Sequence, residues 1–410
     1  MAGRYAAPHM LRSRDGHEHN KATFVELFFD LVFVFAVTQL SHTLLEHFTP
    51  AGITQTILLL MAVWWVWIYT TWVTNWLDPD KTPVRLMLFA LMLAGLVLST
   101  SIPEAFGSRA LAFAGAYVFM QLGRSLFMLW ALRGHSATNY RNFLRINAWL
   151  ALSALFWIGG AFAETQARLG LWSLALAIEY LSPSLGFWTP GLGRSTTADW
   201  DVEGGHLAER CGLFIIIALG ESILVTGATF AKLPWSGTTV AAFATAFIGS
   251  AAMWWIYFNI GAERGSKRIT QSSDPGRLAR LAYTYMHLPL VAGIVVVAVG
   301  DELVLAHPIG HVDFKTVAAV LGGPTLYLIG NLMFKRATGN RPALSHIVGL
   351  ILLAGLVPLA PLSQPLALAA AANLVLVMVA VWETCSLGTG DTEPEAGKLP
   401  TAQTGRSAQA

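Results

Sequence analysis

The sequence predicts an all-α, polytopic membrane bundle of about twelve transmembrane helices, arranged as two parallel six-helix repeats. Three observations carry that prediction. Hydrophobic residues make up 55% of the 410 and charged residues 12%, with a mean hydropathy of +0.55; that is more apolar surface than a water-soluble domain can bury. The apolar residues fall into runs of roughly the 20 residues that a helix needs to cross the hydrocarbon core. The runs and their landmark residues then recur in the same order in the second half of the chain.

The first six windows lie near residues 23–45, 53–76, 84–102, 109–132, 142–163 and 169–188. Six more lie near 209–228, 238–260, 277–300, 316–336, 343–361 and 364–386. Glu26 opens the first window as Glu209 opens the seventh, and Trp67-Ile68-Tyr69 in the second recurs as Trp255-Ile256-Tyr257 in the eighth. Gly123-Arg124 in the fourth matches Gly330-Asn331 in the tenth, Arg141 before the fifth matches Arg341, and Glu179 in the sixth matches Glu383 in the twelfth. The offset stays between 183 and 207 residues, and we read a duplication: a first repeat over 23–188, a linker over 189–208 and a second repeat over 209–386. Residues 1–22 form an N-terminal tail, and the polar stretch 387–410 has the composition of a disordered one. The Pro-, Gly-, Ser- and Thr-rich segment from Ser182 to Gly205 reads as a solvated turn region.

Orientation follows from the loops, because Lys and Arg near span ends are retained on the cytoplasmic side. With the N-terminus inside, 21 Lys and Arg fall on the inner side against Arg109, Arg168, Lys232 and Lys315 outside. Both termini are therefore expected in the cytoplasm. Six spans per repeat also make the two repeats insert in the same direction. No short apolar segment with a small-residue cleavage site precedes the first span, which is expected to serve as an uncleaved anchor.

Function is sought where hydrocarbon should reject a side chain, since a charge at the bilayer centre costs about 2.5 to 3.5 kcal/mol even on lenient insertion scales. In the first span Glu26 and Asp30 are four residues apart on one helix face, and Ser41 returns to within about 60° of it. They suit a cation or proton entry site, or else a first-turn acid at a helix start and an acid held by an Arg of a neighbouring span. The second span carries Trp64, Trp65, Trp67, Tyr69, Trp72 and Trp76, for which interfacial-belt and packing roles are expected. Arg124 lies midway along the fourth span and calls for an acidic partner, with Glu179, Asp30 and Glu221 as the candidates. Gly159-Gly160 in the fifth span and Ala367 to Ala372 in the twelfth suit close helix packing. The seventh span keeps Glu209, adds Arg210 and places Glu221 deeper, so the repeats are chemically unequal. His287, two residues before Pro289 in the ninth span, either titrates, lines a broken helix or packs as a satisfied core residue.

Several classes are excluded. A net charge of +2 and a pI near 8.5 without a basic run give no reason to expect a nucleic-acid partner. Cys211 and Cys385 are too few for a disulfide framework or a thiolate metal site. His9, His17 and His19 around Asp15 and Glu18 sit on a tail too loose to organise an ion, so neither metal nor cofactor is expected. There is no His-Glu-x-x-His and no phosphate loop, and Gly220-Glu221-Ser222-Ile223-Leu224 lacks the second glycine of a nucleophile elbow. The chain does not read as an enzyme.

The run from Glu26-Leu27-Phe28-Phe29-Asp30 through Thr38-Gln39-Leu40, with Glu209-Arg210 and Leu219-Gly220-Glu221-Ser222, resembles the bacterial low-temperature-requirement A (LtrA) family over about residues 20–385. The resemblance implies a multi-pass protein of the bacterial cytoplasmic membrane connected with growth in the cold. The first helix also resembles, more faintly, that of the endolysosomal-type potassium channel family, whose architecture is two six-helix repeats. There Phe28-Phe29-Asp30 stands at a Phe-Ser-Asp motif, but Phe29 replaces the serine, Leu31 the following glycine, and Cys211-Gly212-Leu213 supplies no acid in the second half. What this second likeness implies is the fold rather than that pore.

The expected function is a transporter or channel-like permease for a small solute or monovalent cation, working within the lipid bilayer. Its polar path would run between the first helices of the repeats, with Glu26, Asp30, Ser41, Glu209, Arg210 and Glu221 along it and Arg124 balancing charge. Glu179, His287, Asn331 and Glu383 are the remaining polar candidates. The alternative is a non-transporting membrane scaffold or lipid-sensing factor for cold growth, in which buried charges act as structural pins.

Overall fold

A computed structural model describes residues 10–12, 21–200, 202–259, 261–339 and 343–388. Among the described residues twelve long helices follow one another: α1 (Phe24–Glu46), α2 (Pro50–Trp76), α3 (Thr82–Ser101), α4 (Ala110–Leu132), α5 (Ala137–Ala161), α6 (Thr165–Leu181), α7 (Gly204–Phe230), α8 (Gly237–Phe258), α9 (Pro275–Ala306), α10 (Phe314–Thr338), α11 (Leu344–Leu362) and α12 (Pro365–Gly388). Eleven are long and apolar enough to cross a membrane; α6, with 17 residues, is shorter. There is no strand among the described residues, only two isolated bridges. The side on which α1 begins, where most Lys and Arg lie, is termed the basic side below.

Local chemistry sets the helix starts. Thr23 and Glu26 form a reciprocal capping box on α1, Thr49 caps α2 ahead of Pro50, and Ser136, Glu203 and Ser236 accept from the first-turn N–H groups of α5, α7 and α8. Asp313 does the same for α10, and the bonds from Thr316 hold its carboxyl below the usual carboxylate range. Two spans carry wide π-helical turns, Phe119–Gly123 in α4 and Ala279–Tyr285 in α9. In the second, an indole satisfies a backbone carbonyl, Trp64 donating to that of Thr284 at 2.8 Å, and a second indole, Trp72, donates to the Thr284 hydroxyl at 2.9 Å. Trp64, Trp65 and Trp67 are fully buried, so of the two roles expected these three take packing in the core and not the interfacial belt.

Helices α1–α6 pack chiefly among themselves, as do α7–α12. In each six the first helix touches the second and third, the third the fourth, the fourth the fifth, the fifth the sixth, and the second the sixth. The two groups meet where α1 and α2 lie against α7 and α9. The tightest pair is α9 with α10, whose facing glycines let the backbones approach: a Cβ on Gly293, Gly323 or Gly330 would lie 2.6 to 2.7 Å from a backbone nitrogen of the other helix.

Three boundaries differ from the sequence reading. α7 starts at Gly204, inside the stretch expected as linker, and so carries His206 in a helix. α9 continues to Ala306 and takes in Asp301, beyond the window that ended at 300. The segment from Ser182 is not a loosely solvated turn: Ser195 N–H bonds the Gly186 carbonyl at 2.8 Å, Arg145 holds the Leu192 carbonyl, and Arg280 holds that of Pro183 at 2.7 Å. The N-terminal segment also joins the bundle, with Met10 buried and Leu11 bridged to Leu77 beyond the end of α2. Arg341, residues 1–9 and 13–20 of the N-terminal tail, and residues 389–410 lie outside the described residues.

Candidate functional site

The first site is a buried charge cluster on the basic side. The capping box that starts α1 turns Glu26 inward, and Asp30 follows one turn later on the same face. Asp30 Oδ1 accepts from Arg210 of α7 at 2.8 Å and from Trp67 Nε1 at 2.8 Å. Glu26 Oε1 meets His206 Nε2 at 3.0 Å and Arg210 at 3.6 Å, while its Oε2 accepts from Arg12 at 3.0 Å. Asn75 of α2 closes the ring against the Glu203 backbone and His206. Glu26, Asp30, His206 and Arg210 are fully buried. The Arg expected to hold Asp30 is therefore Arg210, and the cluster ties α1 to α7.

Deeper along the same interface, rings replace charges. Phe214 of α7 lies 4.3 Å from Trp67, 5.5 Å from Trp64 and 6.5 Å from Phe33 between ring centroids. Beyond them Thr38 donates to Glu221 Oε2 at 2.5 Å, and Ser222 donates to Asp301 Oδ2 at 3.2 Å. Ser250 of α8 stands 3.5 Å from Ser222, and half-buried His42 lies one turn past Thr38. Glu221 Oε1 has no hydrogen-bond partner, and neither Glu221 nor Asp301 forms an ion pair, among the described residues. A cavity of about 10 Å³, room for about one water, reaches Asp301 beside Asn373 and Pro324, the proline inside α10.

Arg124 belongs to a separate cluster within the first six helices. It donates to the Val66 carbonyl at 3.1 Å, to Thr70 at 2.9 Å and to Gln121 Oε1, and Gln121 in turn donates to Glu179 at 2.8 Å. Of the three acids considered as its partner, Glu179 is the one it reaches, through an amide and not directly; Asp30 and Glu221 are engaged elsewhere. Glu179 also accepts from Tyr117 at 2.5 Å, Ser153 at 2.6 Å and Trp157 at 3.0 Å. At the basic-side end of α12, Glu383 pairs with Lys335 at 2.5 Å and approaches His346 at 3.3 Å.

Other predicted members stand apart. Glu209 is exposed on α7, accepting only the Ala22 N–H at 3.2 Å among the described residues, because the helix turns Arg210 and not Glu209 toward Glu26. Ser41 bonds back to the Thr38 carbonyl in its own helix. His287 packs as a satisfied core residue, between the Tyr257 hydroxyl at 2.7 Å and the Ala282 carbonyl at 2.9 Å. Asn331 is buried on α10 and makes no bond to the acid clusters. The reading missed Arg12, His206, Thr38 and Asp301. Asp301 had a signal, an acid directly after a long apolar run and followed by Leu303-Val304-Leu305; Arg12 and His206 had none, since both lie in polar sequence.

No grouping of three or more His, Cys, Asp or Glu fit to hold a metal occurs among the described residues. The set His9, His17 and His19 lies outside them. In comparisons with known proteins, a family model described as bacterial low temperature requirement A protein (LtrA) matches residues 21–381. An uncharacterized protein of Rhizobium meliloti (strain 1021) is 43% identical over 381 residues, covering 92% of each chain. No solved structure matches.

Proposed function

The chain belongs to the bacterial low temperature requirement A family of multi-pass membrane proteins, and from that premise we propose that it is a permease for protons or a small monovalent cation. One observation carries the reading: Glu221 and Asp301 are buried on membrane helices with hydroxyl partners and no ion pair among the described residues. A carboxylate held in that way in hydrocarbon either takes a proton or waits for a cation, and acids so placed mark ion and proton pathways. Thr38 with Glu221 and Ser222 with Asp301 form two oxygen-bearing pairs that serve as successive steps for a proton or small cation. On the basic side, the Glu26, Asp30, Arg12, His206 and Arg210 cluster closes the interface, and the Phe33, Trp67 and Phe214 rings seal the space between. Exchange of Arg210 away from Asp30 would open it. The matching neighbour pattern of the two sixes supports the duplication, and the one-sided distribution of Lys and Arg supports cytoplasmic termini in a bacterial inner membrane. No catalytic step is assigned.

Reconstitution in vesicles tests the reading, with pH- and cation-sensitive dyes trapped inside. Wild-type protein is expected to give a flux that Glu221→Gln and Asp301→Asn reduce to the level of empty vesicles. If both variants carry every tested ion as wild type does, the permease reading is withdrawn.

The fully packed basic-side cluster favours a second reading, a non-transporting scaffold or lipid-sensing factor in which the charges pin α1 to α7. That reading expects neutral variants to lose stability with no flux to lose. Under either reading the family description supports a role in growth at low temperature, and deleting its gene is expected to slow growth in the cold more than in the warm.

A further inference from the structure

A cavity of about 70 Å³ lies on the basic side between α2, α4, α5, α9 and the segment that joins the two sixes. At about 10 to 15 Å³ per water it holds several waters or one small organic molecule. Its walls are aromatic. Trp200, from the joining segment, stands 5.8 Å from Trp76, 6.2 Å from Trp72 and 6.0 Å from Phe187 between ring centroids. Its charge is one-sided, because Arg124 and Arg280 line it and no Asp or Glu does among the described residues. Arg280 has its donor to Pro183 engaged. Arg124 is fully buried, spends its two terminal nitrogens on Val66, Thr70 and Gln121, and has an Nε with no acceptor among the described residues. A buried guanidinium N–H without an acceptor is costly, and flat aromatic walls favour a flat ligand.

We propose that this cavity, apart from the acid path, binds a small aromatic carboxylate, its ring among Trp76, Trp200 and Phe187 and its anionic oxygens on Arg124 and Arg280. A quaternary ammonium would find the aromatic faces but meet two like charges, and an aliphatic anion would find the charges but nothing to stack on. An anionic lipid headgroup shares the charge without the ring, which gives the test its arms.

Isothermal titration of the full-length protein in detergent with benzoate, benzamide and acetate reads the assignment directly. Benzoate is expected to bind saturably, with benzamide weaker by about tenfold or more, the factor that losing one charge-assisted bond gives, and acetate weaker by about tenfold or more because it has no ring to bury among the aromatic walls. Trp200→Ala and Arg280→Gln, both placed away from the Glu221 and Asp301 acids, are expected to weaken benzoate by a similar factor when titrated below their own melting temperatures, which loss of the Trp200 ring contacts and of the Pro183 bond lowers. Absence of saturable benzoate binding overturns the proposal, and so does benzamide binding as tightly as benzoate, a result that needs no variant. Displacement of benzoate by phosphatidylglycerol at equal concentration would assign the cavity to lipid and overturn it as well.

Discussion

Arg210 meets Asp30 at 2.8 Å and Glu26 at 3.6 Å, with all three side chains fully buried. Removing one partner of a buried pair leaves the other charge unmatched, at a cost of about 3 to 5 kcal/mol. Arg210→Gln is therefore expected to destabilise the protein by about that amount. The double variant Arg210→Gln with Asp30→Asn is expected to recover part of the loss, since the acid nearest the missing guanidinium is then neutral. Thermal unfolding in detergent, arranged as a double-mutant cycle, measures the coupling; losses that simply add would mean the pair contributes nothing as a pair. The buried acids of the three clusters were legible because each interrupts an apolar run: Glu26, Asp30, Glu179 and Glu221 all prove buried. Their partners were not legible, because a partner is fixed by which helix faces which. Glu209 shows the difference. It matches Glu26 by position, yet a rotation of 100° per residue puts its neighbour Arg210 inside and leaves Glu209 out.

Among elements, the α9 and α10 pair depends on glycine at the contact and not merely nearby. A Cβ on Gly323 would sit 2.7 Å from both the backbone nitrogen and a side-chain methyl of Val297, whereas one on the adjacent Gly322 would meet nothing within 4 Å. Gly323→Ala is expected to cost about 1 to 3 kcal/mol by overpacking. Gly322→Ala is expected to be neutral or to stabilise by up to about 1 kcal/mol through helix propensity. Melting temperatures of the two purified variants separate them, and equal shifts would show that the helices do not meet as described. Spans were legible as apolar runs; the contact between them was not, since both glycines read alike in sequence. Ends were misjudged where the helix outruns its apolar window: the Glu203 cap starts α7 early in polar sequence, and α9 carries Asp301 and Glu302 before it stops. The indole bonds to Thr284 offer a second check at this scale. Trp64→Phe keeps the ring and removes the donor to the Thr284 carbonyl, which strands a buried acceptor and is expected to cost about 1 to 3 kcal/mol, read from the same melts.

For the molecule as a whole, the proposed path lies where the two sixes touch, so transport requires α1 and α7 to move against each other. Phe33 and Phe214 face each other across that contact, 6.5 Å between ring centroids, in the sealed stretch between the charge cluster and the Thr38–Glu221 bond. The chain has two cysteines, Cys211 buried and Cys385 exposed, and serine at both gives a background in which new thiols react alone. On it, Phe33→Cys with Phe214→Cys can be joined by a short reducible cross-linker and reconstituted. Cross-linked protein is expected to give no more flux than empty vesicles, and reduction to restore it; each single cysteine is expected to conduct throughout. The choice of pair matters, because neither residue carries an acid the path needs, so lost flux reports lost motion and not lost chemistry. Unchanged flux after complete cross-linking would mean that nothing opens between α1 and α7. The buried acids would then be left to the scaffold reading, in which the cluster around Arg210 holds the two sixes together permanently.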